Sequence, residues 1–297
     1  MAPMADITLF AGDYEATIKP DVAMLCASLR FKGEEYVAWP RSLEQFQQGA
    51  ATAIPPLHPW SNRLGGWAYD VGATHVDLEG IDLPVDGNGL PIHGKLFGAA
   101  FEVVKHERGN RLVAQLDYGA DPDRLRAFPF PHVLTIDARL HPKRGLNIVT
   151  TVEATGAVAV PISFGWHPYV TLPGGERASW ELRWPACEHV EVDENIMPTG
   201  VRTPRAAERA PIADRTFDDH YALGADRRFA IADGGRSLTF EFDAKYPFAQ
   251  LFVPPDKELV AIEPMTATID ALGRGTTPMC APGDRFLASF NIAASSR

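Results

Sequence analysis

Apolar and polar side chains alternate with a period of two along several segments of the chain. The clearest examples are HVLTIDARL (132–140), GLNIVTTVEA (145–154), SLTFEFD (237–243) and RFLASFNI (285–292). In a β-strand, successive side chains point to opposite faces, so this alternation predicts strands that bury one face. The recurrence of the pattern predicts a chain built mainly from half-buried strands.

Signals for helices are few and short. RSLEQFQQG offers Ser42 as an N-cap and Gly49 as a stop, and DPDRLRAF (121–128) is long enough for a turn or two. The 25 glycines and 25 prolines favour turns. Because no strand–helix–strand alternation or linker is present, the sequence predicts one all-β domain over residues 1–297, a large antiparallel β-sandwich.

Composition and charge exclude several classes of partner. The formal net charge of the 297 residues is -10, without a basic patch, so we expect no nucleic-acid partner. No stretch approaches the roughly 20 apolar residues that span a bilayer, and the start lacks the features of a signal peptide. Three cysteines in no recognisable motif suggest a reducing compartment. We therefore expect a cytoplasmic monomer or homodimer that acts on a small molecule.

Polar residues interrupt the apolar pattern in five short motifs. These are PWSNRLGG with Asn62 and Arg63, GLPIHGKLFG with His93, SFGWHPYV with His167, FDDHY with Asp218, and LVAIEPM with Glu263. Taken alone, each admits a structural interpretation: a lone histidine in an apolar run is usually a core residue, and a glutamate at a strand end is often ion-paired or exposed. Together, two histidines and a carboxylate without a nucleophile suit proton transfer.

The other histidines lack such context. His58 in LHPW repeats the His-Pro-aromatic spelling of His167 but is interpreted as a loop residue, so His58→Asn is expected to leave turnover nearly unchanged. His141 in LHPK is interpreted as a turn residue, and His75, His106, His132, His189 and His220 carry no supporting motif. No third ligand accompanies His93 and His167, so no metal site is predicted.

The five motifs, in this order, resemble the aldose 1-epimerase (galactose mutarotase) family over about residues 50–275. The resemblance implies a galactose mutarotase-like supersandwich and an isomerase that interconverts the α and β anomers of a free aldohexose, with no metal or organic cofactor. It implies that Glu263 is the general base for the anomeric hydroxyl, that His167 is the general acid for the ring oxygen, and that His93 hydrogen-bonds this oxygen.

The same resemblance assigns residues that hold the sugar. Arg63 and Asp218 would bind hydroxyls, and Asp218 is preferred to Asp219 because it lies three residues before Tyr221. The further substrate-binding residues implied are Asn62, Gln250 in FAQLFVPP, and Tyr169. Trp166 is expected to pack in the core.

Two alternatives remain open at the level of sequence. A hexose-6-phosphate 1-epimerase would need basic side chains that bind the phosphate. Here HGKLFGAAFEV lacks the arginine that many relatives carry after His-Gly, so glucose 6-phosphate is expected to be a poorer substrate than a neutral hexose, and Lys95 is expected to be exposed. The other alternative is a non-catalytic carbohydrate-binding protein of the same fold, which the presence of His167 and Glu263 disfavours.

Overall fold

The computed structural model describes residues 5–107 and 109–296. The strands of the first half are β1 (Ile7–Ala11), β2 (Tyr14–Lys19), β3 (Leu25–Phe31), β4 (Glu34–Glu35), β5 (Pro56–Leu57), β6 (Ala68–Val71), β7 (Thr74–Asp77), β8 (Glu102–Glu107), β9 (Arg111–Asp117), β10 (His132–His141), β11 (Gly145–Ala154) and β12 (Val160–Pro161). Those of the second half are β13 (Gly165–Trp166), β14 (Tyr169–Val170), β15 (Glu181–Trp184), β16 (Cys187–Val192), β17 (Pro198–Arg205), β18 (Glu208–Pro211), β19 (Phe217–Leu223), β20 (Arg228–Ala232), β21 (Arg236–Phe242), β22 (Phe248–Val253), β23 (Val260–Met265), β24 (Met279–Cys280) and β25 (Arg285–Ser296).

Helices within the described residues are short. Helix α1 (Leu43–Gln47) begins where the sequence predicts: the Ser42 hydroxyl accepts from the Gln45 N–H, and the Gln45 side chain accepts from the Ser42 N–H. This reciprocal pair satisfies two backbone donors that a helix start leaves unpaired. Helix α2 (Pro122–Ala127) is capped by Asp121. Two 3₁₀ turns, Tyr118–Ala120 and Arg177–Ser179, complete the helical content of this part of the chain.

Two large antiparallel sheets dominate the described residues. One has the order β18-β15-β20-β21-β25-β11-β10-β9-β8, and the other has the order β17-β16-β19-β22-β23-β13-β5 with β14 also paired to β23. Smaller sheets pair β1 to β4 in sequence order, β6 with β7, and β12 with β24. The all-β, antiparallel sandwich predicted from the alternation is therefore confirmed.

The alternating segments bury the faces that their patterns indicate. In β10, Leu134 and Ile136 are at most 1% exposed, while the intervening Thr135 is only half-buried. These side chains join one continuous apolar cluster with Leu251 and Ile262 of the other large sheet. Each fully buried side chain of this size contributes about 1.5–3 kcal/mol. The core therefore lies between the two large sheets and holds them face to face.

Three strands of the second sheet carry polar side chains on the face turned away from this core. Along β23, Val260 and Ile262 enter the main core, and Glu263 therefore points to the opposite side. Gln250 of β22 stands directly opposite Glu263 in the ladder. The alternation that places apolar side chains of these strands in the core thus also places the Glu263 carboxylate and the Gln250 amide together on the opposite face of the sheet.

His58 lies outside the named strands, directly after β5, but it is a core residue. Its ring is buried, and its Nε2 is 2.7 Å from Nε2 of His132. His132 Nδ1 lies 2.6 Å from the carbonyl oxygen of Phe130, so Nδ1 carries the proton of a neutral His132. Nε2 of His132 is then the acceptor and His58 is the donor, which leaves the pair neutral and inside the core.

Candidate active site

The sheet supplies the floor of the site through neighbouring strands. Gln250 donates through Nε2 to Oδ1 of Asp218 on β19 at 2.6 Å. The Gln250 and Glu263 side chains are each about 1% exposed. Because Gln250 faces Glu263 across one ladder and lies diagonal to Asp218 across the next, the three side chains are held as a group by backbone pairing.

His167 is brought to this floor by the turn between β13 and β14. Its backbone N–H donates to the carbonyl of Pro55 at 3.0 Å, which ties the turn to the segment before β5. Its Nε2 lies 3.1 Å from Oε1 of Glu263, and its ring stacks on Tyr169 with 4.1 Å between ring centroids. The predicted acid and base are therefore in direct contact, and the tyrosine fixes the plane of the imidazole.

His93 enters from a strained segment. Its backbone has a φ of 62°, and its ring centroid lies 5.5 Å from that of His167. Its Nδ1 accepts from the backbone N–H of Asn62 at 3.2 Å, so a neutral His93 carries its proton on Nε2. Gly94 is required next, because a Cβ there would lie 2.5 Å from the carbonyl oxygen of His58. The close approach of the Gly94 and His58 backbones thus fixes the position of His93 and of its Nε2–H donor.

Arg63 is oriented by a carboxylate that the sequence analysis did not identify. Its Nε donates to Oδ2 of Asp86 at 2.6 Å, and its Nη1 donates to Oδ1 of Asn62 at 3.0 Å. Its Nη2 is 3.9 Å from Oδ2 of Asp218. Burial acts to raise the pKa of Asp86, but hydrogen bonds from Leu90 N–H and Arg63 hold it below its usual range. An ionised Asp86 therefore keeps the guanidinium facing Asp218.

Burial shifts the titration of the central groups. It raises the pKa of Glu263 well above its usual value, and the Asp218 charge adds to this effect. It lowers the pKa of His167 to about 3, and it lowers that of His93, where the charges of His167 and Arg63 act in the same direction. Burial thus makes Glu263 a stronger base and protonated His167 a stronger acid.

All eight residues proposed from the sequence line one cavity of about 130 Å³. They are Asn62, Arg63, His93, His167, Tyr169, Asp218, Gln250 and Glu263, and Ile92 and Phe252 complete the wall. Within the described residues, three buried polar atoms of this wall have no hydrogen-bond partner: His167 Nδ1, Gln250 Oε1 and Glu263 Oε2. Unpaired polar atoms are costly to bury, which is typical of a site that binds a polar molecule.

Other candidates from the sequence lie outside this cavity. Asp219 accepts from the Tyr221 hydroxyl and lies 3.3 Å from His189. Trp166 is buried, as predicted, and donates to the Thr150 hydroxyl at 2.9 Å. Lys95 is half-buried rather than fully exposed, because its ammonium donates to the carbonyl of Asp82 at 2.9 Å.

Several residues that line the cavities, or that contact a lining residue, had no signal in the sequence. Phe252 is one apolar residue among many in its strand. Arg41 and Lys257 line a cavity of about 190 Å³ that adjoins the first. Asp86 lies in the turn VDGNG, which the sequence marks as a turn without indicating its partner.

Two properties bear on cofactors and surroundings. Among residues 5–107 and 109–296, no three His, Cys, Asp or Glu side chains are placed to hold a metal ion together. In the same ranges, no helix combines the length and apolar character needed to cross a membrane.

Comparison with known proteins places this arrangement in a family. A family model of aldose 1-epimerases matches residues 26–292. The protein YihR of Escherichia coli K12, described as uncharacterized, is 28% identical over 198 residues, which cover 65% of this chain and 59% of YihR. The chain therefore spans less than two thirds of the length of that relative.

Solved structures share the fold at low identity. A galactose mutarotase-like protein from Clostridium acetobutylicum superposes with a TM-score of 0.85 at 20% identity, covering 98% of this chain and 95% of that chain. An aldose epimerase homologue from C. elegans gives 0.82 at 17%, covering 98% and 99%. A galactose 1-epimerase from Lactobacillus acidophilus gives 0.77 at 14%, covering 98% and 94%. With the family model matching across most of the sequence, the chain belongs to the aldose 1-epimerase family.

Proposed function

We propose that the protein is an isomerase that interconverts the α and β anomers of an aldohexose by acid–base opening and closure of the ring. The observation that carries this proposal is the 3.1 Å contact between His167 Nε2 and Glu263 Oε1 inside a polar cavity. In a cyclic aldose, the anomeric hydroxyl and the ring oxygen are bonded to the same carbon. A base for one oxygen and an acid for the other must therefore be neighbours.

The proposed ring opening moves two protons and breaks one bond. Glu263, as the carboxylate, takes the proton of the anomeric hydroxyl, and the electron pair of that O–H bond forms the carbonyl. The bond from the anomeric carbon to the ring oxygen breaks, and protonated His167 delivers its Nε2 proton to this oxygen. Rotation about the C1–C2 bond presents the other carbonyl face, and closure reverses both transfers.

Ring opening removes the charges of the pair, and closure restores them. The closed ring accompanies an ionised Glu263 and a protonated His167, and the open aldehyde accompanies two neutral groups. Burial penalises the charged forms, as the raised pKa of Glu263 and the lowered pKa of His167 show. Burial therefore favours ring opening and opposes closure to the same extent, and the 3.1 Å contact between Glu263 and His167 stabilises the charged pair that precedes opening. No step calls for a cofactor.

The remaining residues of the cavity are suited to hold a sugar. His93 presents Nε2–H as a hydrogen-bond donor for the ring oxygen, because Asn62 N–H occupies its Nδ1. Arg63 and Asp218 supply a fork of donors and a pair of acceptors for hydroxyls. Gln250 orients Asp218, and Tyr169 fixes His167. We also propose that residues 1–297 form one domain and that the enzyme acts in the cytoplasm, as its unpaired cysteines suggest.

The test is polarimetry of freshly dissolved α-anomers over a panel of aldoses, with the spontaneous rate subtracted. Glu263→Gln keeps shape but cannot accept the proton, and His167→Asn cannot donate one. Each is expected to lower kcat by roughly 10²–10⁴, the usual worth of a positioned proton-transfer group. His75→Asn and Glu241→Gln are matched controls, because both side chains are at least half exposed and lie outside the cavity.

Two outcomes would contradict the proposal. The assignment of the acid and base is wrong if a folded Glu263→Gln or His167→Asn protein keeps near-normal turnover. The enzymatic function is wrong if the wild-type protein accelerates no aldose in the panel while binding one, a result that would favour a carbohydrate-binding protein instead.

A further inference from the structure

His220 is a buried histidine that the proposed mechanism does not use. Its side chain is 1% exposed, and it does not line the cavity that contains His167 and Glu263. In the ladder between β19 and β22 it stands directly opposite Gln250, and Asp218 lies on the same face of β19. His220 therefore lies beside two of the side chains that are proposed to hold the sugar.

The ring of His220 is held from two sides. Its Nε2 lies 3.0 Å from the hydroxyl oxygen of Thr268, in the segment after β23. Its plane is inclined by only 14° to the ring of Phe248, with 5.4 Å between the two centroids. Burial lowers the pKa of His220 to about 3, so at neutral pH the imidazole is uncharged and carries a single proton. The nitrogen that carries this proton depends on what Nδ1 faces.

Two atoms of the facing side chains lack hydrogen-bond partners. Within the described residues, Nδ1 of His220 and Oε1 of Gln250 are both buried and unpaired. The side chains are close enough to interact, since hydrogen bonding to Gln250 acts against the lowering of the pKa of His220. A buried donor or acceptor without a partner is costly, and one bond between these two atoms would remove both costs.

The surroundings of the pair determine the direction of such a bond. Gln250 donates through Nε2 to Oδ1 of Asp218 at 2.6 Å, and a carboxylate can only accept, so the oxygen of the amide is left to accept from another donor. Nδ1 of His220 must then carry the proton, and Nε2 accepts from the Thr268 hydroxyl. The three bonds run in one direction, from Thr268 through His220 and Gln250 to Asp218. The Gln250 oxygen keeps a second lone pair for a sugar hydroxyl.

This direction bears on the orientation of Asp218. Reversal of the Gln250 amide would place its oxygen against the Asp218 carboxylate, and two acceptors in contact repel each other. The Asp218 side chain is 41% exposed, so it would then turn towards water. A donor at Nδ1 of His220 opposes this reversal because it pairs only with the amide oxygen. Since Asp218 is proposed to bind hydroxyls, its orientation affects the binding of the sugar more than the proton transfer.

We propose that His220 is a positioning residue: its Nδ1–H donates to Oε1 of Gln250 and so orients the amide that holds Asp218 for a sugar hydroxyl. The proposal rests on the epimerase function proposed above. Because His220 is buried outside the cavity, it acts on the sugar only through Gln250.

The kinetic test compares His220→Leu with His220→Asn by polarimetry. Leucine fills much of the space of the ring but cannot donate, whereas the amide nitrogen of asparagine can take the place of Nδ1. His220→Leu is expected to raise KM about tenfold, the worth of one hydrogen bond to a charged group, with a smaller change in kcat. His220→Asn is expected to keep KM close to that of the wild type.

The matched control is His189→Leu, the same change at a half-buried histidine of the neighbouring strand β16. His189 lies outside the cavity, so its replacement should leave KM unchanged. In a Gln250→Leu background, His220→Leu should raise KM no further, because its effect passes through Gln250. This comparison separates positioning through Gln250 from a general loss of stability.

The tautomer of His220 can be measured without any turnover. Nitrogen chemical shifts from NMR distinguish the protonated from the unprotonated imidazole nitrogen, and the signals of His220 are those that disappear in either His220 variant. In the wild-type protein, Nδ1 is expected to carry the proton.

Four results would each overturn the inference while the epimerase function stands. They are a proton on Nε2 of His220, an unchanged KM in His220→Leu, equal KM values in His220→Leu and His220→Asn, and an undiminished effect of His220→Leu in the Gln250→Leu background. A wild-type protein that turns over no aldose overturns the proposed function, and the sugar-positioning role of His220 with it.

Discussion

Replacement of His58 by asparagine is expected to cost stability rather than catalysis. The His58 ring is 3% exposed and donates to His132, which is 0% exposed. Asparagine is too short to keep this bond, so Nε2 of His132 becomes a buried acceptor without a partner, at a cost of about 1–3 kcal/mol. Lost ring contacts with Tyr118 and Phe128 add about 1 kcal/mol. The sum is about 3 kcal/mol.

Scanning calorimetry measures this loss directly. At about 3 °C per kcal/mol for a large domain, Tm is expected to fall by roughly 9 °C in His58→Asn. Turnover per folded molecule should stay near that of the wild type, since no atom of His58 lines the cavity. His141→Asn is the control: its ring is only half-buried and accepts from the Lys143 N–H, so the change should stay within about 0.5 kcal/mol. Equal Tm values for the two variants would refute a stabilising histidine pair.

Two further predictions concern charge. Asp86→Asn should raise KM about tenfold with a smaller effect on kcat, because Arg63 loses the ion pair that orients it. Asp219→Asn is the control, since Asp219 lies outside the cavity and its loss should leave KM unchanged. Steady-state polarimetry measures KM and kcat of both variants, and equal KM values would contradict the orienting role of Asp86. Burial lowers the pKa of His58 well below 6.5 and that of His132 to about 4, so between these values the unfolded chain binds protons that the folded chain does not. The free energy of unfolding should therefore fall as the pH drops from about 6.5 towards 4, by up to about 1.4 kcal/mol per pH unit for each histidine. The urea midpoints measured at pH 7.5 and 5.5 should differ less in His58→Asn than in the wild type.

The regular part of the fold could be predicted from the sequence because its signal is local. The alternation in β10, β11, β21 and β25 requires only that one face be buried, and each strand carries this information within itself. The same holds for the Ser42 cap of α1, whose partner is three residues away. Two-residue strands such as Gly165–Trp166 carry no such pattern, since their pairing depends on segments about a hundred residues distant.

The candidate site shows where local information ends. His58 and His167 share the His-Pro-aromatic spelling, but His58 meets a histidine 74 residues away in the core and His167 meets Glu263. Arg41 and Lys257 are ordinary surface cations in the sequence and become neighbours of one cavity only through the tertiary fold. The resemblance supplied the eight lining residues as a set, which periodicity alone could not have assembled.

Glu263 and Gln250 face each other in a regular antiparallel ladder, whereas Arg41 and Lys257 come from irregular segments. Backbone hydrogen bonds therefore set the position of Glu263, the proposed base, and they do not depend on which side chains occupy the loops. A lineage could change, lengthen or exchange those loops without moving the reacting atoms. In a protein arranged this way, substitutions in the loops are expected to change which sugar is bound and to leave the proposed proton transfer unchanged.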